Sequence, residues 1–149
     1  MYMKNTYSYG EENDTHLKSV VALSRTYLSF TRTLQVFLNN YGLTVPQFAV
    51  LESLYHLGPL KICELIQKNL STSGNMTVVI RNLEKEGWIK KSPDDEDKRS
   101  YKVSLTDQGS NIIKDAFLTH LQYLNDFFHR LSMDEKQQLL QLLKKLNGL

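Results

Sequence analysis

A chain of 149 residues, 41% of them hydrophobic, is long enough to bury one core and short enough that a single domain is expected. Its 18 basic and 16 acidic side chains leave a formal charge of +2, too little for overall charge to mark a nucleic-acid partner, so such a partner must be recognised from local placement. The lone cysteine, Cys63, excludes an intramolecular disulfide. No basic-then-apolar leader and no apolar run of about 18 residues is found, so a cytoplasmic chain without a membrane span is expected.

Residues 1 to 14 lack periodicity and read as a disordered arm; residues 15 to 149 read as one domain. From 15 to 41, apolar residues recur at Leu17, Val20, Val21, Tyr27, Leu28, Leu34 and Leu38, the three-and-four spacing of a long one-sided helix that Gly42 ends. Thr44 opens a second helix, with Gln47 placed to complete a capping box and Pro46 tolerated in the first turn. Gly58-Pro59 stops it. A short third helix, residues 60 to 68, turns Ile62, Leu65 and Ile66 inward. Ser71, Thr72 and Ser73 each offer an N-cap for a fourth helix that runs to Glu86, where Gly87 ends it.

The period then changes. Tyr101, Val103 and Leu105 alternate with Lys102 and Ser104, which predicts a strand with one buried face, and residues 88 to 92 form its antiparallel mate. The intervening PDDEDKR is too polar and turn-rich to pack, so the pair reads as a hairpin with an exposed tip. After Thr106 a long helix resumes through Ile112, Ile113, Ala116, Phe117 and Leu121. A last helix follows Ser132, capped with Glu135, and is expected to bury Leu139, Leu140, Leu142, Leu143 and Leu146. The fold class is therefore mainly α with a small β-hairpin wing: a winged helix-turn-helix core over residues 44 to 105, flanked by long helices at 15 to 41 and 107 to 149 that serve dimerisation.

In such a fold the fourth helix enters the major groove and the hairpin reaches the neighbouring minor groove. At 100° per residue, Met76, Val79, Ile80 and Leu83 share one stripe, and Gly74, Val78, Arg81 and Lys85 share the opposite one. Val78 can meet a thymine methyl, Arg81 can fork onto guanine or phosphate, and Asn75 can pair with adenine. Gly74 permits close backbone approach. The first-turn amides and the hydroxyls of Ser71, Thr72 and Ser73 suit phosphate, and Thr77 is a further expected DNA contact. The hairpin sets Lys90, Lys91, Lys98, Arg99 and Lys102 against Asp94, Asp95, Glu96 and Asp97, a net of +1. It is no uniform basic paddle. Asp97, two residues before Arg99, is placed to hold that guanidinium and aim it at a minor groove.

The stretch EKEGWIKKSPDDEDKRSYKVSLTDQG resembles the wing and helix re-entry of the MarR (multiple antibiotic resistance regulator) family, with Asp97, Arg99, Val103, Leu105 and Thr106 on its wing signature. SGNMTVVIRNLEKEG resembles that family's recognition helix. VVALSRTYLSF and FAVLESLYHLGP resemble the branch that includes quinone-, phenol- and peroxide-responsive repressors. The resemblance implies a homodimer whose first, fifth and sixth helices interleave, holding two recognition helices one helical turn apart on a pseudo-palindromic operator of double-stranded DNA. Many relatives carry proline where this wing has Asp95, and the extra carboxylate adds repulsion beside phosphate.

The resemblance also implies a repressor released by a small phenolic or aromatic effector, bound between helices one, two and five. Arg25, Tyr27, Tyr55, His56 and Trp88 are the expected liners because they mix aromatic faces with donors. Two other readings remain: a thiol-based redox repressor using Cys63, and a winged helix that serves protein contacts alone as an adaptor. Cys63 sits in the third helix, not the first, where peroxide-sensing relatives carry their thiol, and reads as a small core residue. His16, His56, His120 and His129 are too scattered for a local metal pair, so neither metal nor cofactor is expected. No nucleophile-base motif or phosphate-cradling glycine loop points to an enzyme.

Overall fold

In the computed structural model, residues 6–94 and 100–149 are described. Helix α1 spans Glu11–Leu38 and a single 3₁₀ turn, Asn39–Tyr41, leads into α2, Val45–Leu57. Strand β1 is Leu60–Lys61, followed by α3 (Ile62–Lys68), α4 (Ser73–Lys85), β2 (Ile89–Pro93), β3 (Tyr101–Leu105), α5 (Asp107–Phe128) and α6 (Met133–Leu146). None of these helices is long and apolar enough to cross a membrane.

The local signals act where they stand. Thr44 and Gln47 form the capping box of α2, and Ser132 and Glu135 that of α6. Of the three hydroxyls before α4, Thr72 is the cap, accepting the Asn75 amide at 3.2 Å. Helix α1 begins at Glu11, inside the segment expected to be disordered. The Asp14 carboxylate there accepts Ser8 Oγ at 2.6 Å and the Tyr9 amide at 3.0 Å, which ties the chain to the first turn. Glu11, Glu12 and Asp14 also set negative charge against the positive end of the helix dipole.

The wing differs from a two-stranded hairpin. Leu60 and Lys61, expected as the start of the third helix, pair with Val103 and Lys102, making a three-stranded antiparallel sheet in the order β1-β3-β2. A two-residue strand has no period to read, so only the sheet reveals it. Between α3 and α4, the Leu70 amide donates to the Gln67 carbonyl and the Ser71 amide to the Ile66 carbonyl, a Schellman closure with Leu70 at φ 47°. Glycine usually holds that position. An L side chain there costs on the order of 1 kcal/mol.

The core lies inside the helix-turn-helix and the sheet behind it. Leu38, Leu43, Leu51, Leu65, Met76, Ile80, Leu83, Val103 and Ile113 are fully buried, so α1, α2, α3, α4, β3 and α5 all contribute. Helix α6 is different: none of its residues is buried, although its sequence carries five leucines expected to be. The same is true of most of α1, where burial begins only at Leu34. These faces are apolar and open within one chain.

Candidate nucleic-acid interface

Helix α4 presents the two stripes its sequence predicts. Met76, Ile80 and Leu83 are buried and Val79 is half-buried, while Ser73, Gly74, Asn75, Thr77, Val78, Arg81 and Lys85 are exposed. Val78 is 46% exposed, an apolar side chain with no place in its own core. A Cβ built on Gly74 would meet nothing within 4 Å, so internal packing does not demand glycine there. Glycine inside a helix costs up to about 1 kcal/mol against alanine, and no contact among the described residues offsets that at Gly74. The Thr77 hydroxyl donates to the Ser73 carbonyl at 2.8 Å and keeps acceptor capacity outward. With Thr72 satisfying the Asn75 amide, the Ser73 and Gly74 amides at the helix start have no intrahelical acceptor. One end of α4 therefore offers bare N–H groups and hydroxyls, and its exposed stripe an apolar methyl pair followed by Arg81.

On the hairpin, Lys90 and Lys91 are exposed on β2, but Lys91 pairs with Glu84 of α4 at 2.8 Å. That leaves Lys90 as the β2 cation turned outward. Asp97, Lys98 and Arg99 lie outside the described residues. Asp94 corrects the reading of the turn as too polar to pack. The residue is 1% exposed, and its carboxylate takes Lys61 Nζ at 2.6 Å and Lys102 Nζ at 3.0 Å.

The wing is joined to the long helix by backbone. Thr106 caps α5, accepting the Gly109 amide at 3.0 Å, and its hydroxyl donates to the Gly87 carbonyl at 2.7 Å. The Thr106 amide donates to the Trp88 carbonyl at 3.1 Å. Gly109 lies so close that a Cβ there would sit 1.9 Å from the Trp88 carbonyl oxygen and 2.8 Å from its carbon. Sequence reasoning missed this glycine, because its partner is 21 positions away.

The expected effector liners do not converge. Trp88 is buried at the wing root, Arg25 and Tyr27 are exposed on α1, and only Tyr55 and His56 come together, against Phe117 of α5. Between α1, α2 and α5 stands a different set of rings: Phe30, Phe37, Phe48, Phe117 and Tyr123 surround His120. His120 is 7% exposed, and its Nδ1 has no hydrogen-bond partner among the described residues. Burial lowers its pKa from the ordinary imidazole value, so the ring is neutral at pH 7. His120 stands between Thr119 and Leu121 in sequence and most of its ring neighbours lie more than 70 positions away, so no signal of this kind shows in the letters. Cys63, expected in the core, is exposed, because residues 62 to 68 turn Leu65 inward and carry position 63 to the other side.

The sequence profile described as the MarR family matches residues 43–101, the span from just before α2 to the first residue of β3. An HTH-type transcriptional regulator of Bacillus subtilis, YkoM, is 40% identical over 105 residues, covering 70% of this chain and 68% of that one. The chain belongs to the MarR family. MhqR of B. subtilis, also named an HTH-type transcriptional regulator, is 29% identical over 130 residues, 87% of this chain and 90% of that one. The structure of a MarR mutant from E. coli complexed with operator DNA superposes with a TM-score of 0.81 at 25% identity, covering 92% of this chain and 99% of that one. This MarR-family chain thus falls among DNA-binding transcription regulators built on a winged helix-turn-helix, and its relatives are named as regulators, not enzymes.

Proposed function

We propose that this MarR-family chain binds a pseudo-palindromic operator in double-stranded DNA as a homodimer, represses from it in the cytoplasm, and is released by a small aromatic ligand. The observation that carries the reading is the exposed stripe of α4. Gly74, Val78 and Arg81 lie on it with Asn75 and Thr77 beside them, and among the described residues neither core nor salt bridge accounts for them. Ser71, Thr72 and Ser73 take phosphate at the start of that helix, and Lys90, Lys98 and Arg99 serve the flanking groove, with Asp97 orienting the arginine. The likeness to a regulator held on operator DNA supports this assignment.

The dimer draws support from the open faces. A groove of about 400 Å³ between α5 and α6 is lined by Leu124, Phe128, Met133, Leu139, Leu140 and Leu143, and Val20, Leu28, Leu142 and Leu146 stand exposed on the terminal helices. Apolar surface on this scale fits a second copy of the chain. For the ligand, the ring cluster about His120 joins aromatic faces to a nitrogen without a hydrogen-bond partner among the described residues, at the junction of the DNA-binding core with α1 and α5.

Titration of a random duplex pool against salt tests the DNA reading. Affinity is expected to fall steeply, each phosphate contact adding about 0.9 to the log–log slope, and Arg81→Ala to lose roughly 1–3 kcal/mol of sequence-selective binding. A parent chain with no duplex affinity, or none that salt weakens, favours the protein adaptor instead.

A further inference from the structure

The register of the sheet places Lys61 of β1 directly opposite Lys102 of β3. Like charges facing each other across a ladder oppose pairing, and β1 has only two residues with which to resist. A buried anion lies between them. Asp94 Oδ2 takes the Lys61 ammonium at 2.6 Å and Oδ1 takes the Lys102 ammonium at 3.0 Å, so one carboxylate spans two strands. The Asp94 amide donates to the Ser100 carbonyl at 3.0 Å, and Ser100 Oγ donates to Oδ2 at 3.3 Å, closing the hairpin at the base of its turn. Lys61 is itself the residue before α3, and its amide donates to Glu64 Oε2 at 2.7 Å. The base of the hairpin's turn, the short strand and the residue before α3 are thus tied through one side chain.

We infer that Asp94 is the positioning residue of the wing: a buried carboxylate that binds both Lys61 and Lys102 and so fixes the hairpin's angle to the helix-turn-helix. The inference rests on the DNA-binding reading above. It assigns to an acidic residue, which would repel phosphate if exposed, an indirect part in DNA binding. Lys61 acquires a part too, although it stands outside the hairpin. Removing the charge, or the Lys61 ammonium, breaks the link that Asp94 makes between β1 and the hairpin and lets the hairpin swing while α4 stays seated on the buried Met76, Ile80 and Leu83.

The test is a hydroxyl-radical footprint, with salt titration, on a duplex carrying the sequence the parent chain selects from a random pool. For Asp94→Asn and for Lys61→Met, protection at the outer minor-groove flanks is expected to vanish while central protection persists. The log–log salt slope is expected to become shallower by about one to two units, the loss of one or two phosphate contacts. Lys61→Met keeps the carboxylate paired with Lys102 and so guards against Asp94→Asn failing to fold. Footprints and slopes equal to the parent's in Lys61→Met overturn the proposal. So does uniform weakening of central and outer protection in step with a fallen Tm, the mark of a residue that only stabilises. A parent chain that leaves no footprint overturns the DNA-binding reading and this one together.

Discussion

Gly109→Ala is expected to be the most damaging single methyl this chain can receive. The added Cβ would stand 1.9 Å from the Trp88 carbonyl oxygen, and the atoms it meets are backbone, so no rotamer change relieves the overlap. Helix α5 and the wing root must separate. That lengthens the hydrogen bonds from the Thr106 amide to Trp88 and from the Thr106 hydroxyl to Gly87, which join the long helix to the DNA-binding core. Overpacking of this kind costs about 3 kcal/mol. For a chain of this size that is roughly 6–12 °C in Tm by thermal unfolding at fixed protein concentration. Gly74→Ala is the control. It meets no atom within 4 Å, so its Tm is expected to hold or rise, helix propensity favouring alanine by about 1 kcal/mol. Equal Tm values for parent and Gly109→Ala would contradict the close approach of α5 to the wing.

The second large effect is expected at the terminal helices. Val20 is 61% exposed and Leu142 65% exposed in the single chain, so a glutamate at either is harmless if solvent is their true environment. If a second copy covers them, Val20→Glu with Leu142→Glu buries unpaired charges on both sides of a two-fold interface, each costing several kcal/mol. The double variant is then monomeric by sedimentation at concentrations where the parent is dimeric. Its duplex affinity falls about 10²–10⁴-fold, because the second half-site no longer binds as an intramolecular event. A double variant that sediments with the parent and keeps its affinity places the dimer interface elsewhere.

What the sequence made legible follows from the range of each interaction. Thr44 with Gln47 and Ser132 with Glu135 are caps closed within four residues, and the α4 stripe is a matter of period, so these read directly from the letters. Strand β1 did not, because two residues carry no alternation and its partner is some 40 positions away. Asp94 reads as surface in a run of acidic and basic letters. Its burial depends on two lysines that the sheet brings to it. The requirement for Gly109 resides in a carbonyl on another element, and the seclusion of His120 in rings from three helices. Helix α6 shows the reverse: its leucines promise burial that one chain does not provide, and the missing surface fits another subunit.

The central claim is that two copies of this MarR-family chain read one two-fold DNA site through α4. Selection of bound sequences from a random duplex pool, followed by weighing the complex on the recovered duplex, tests it most directly. The account predicts an inverted repeat with half-site centres about one helical turn apart and two chains per duplex. A pool without an enriched sequence, or a single chain bound to an asymmetric site, would contradict it.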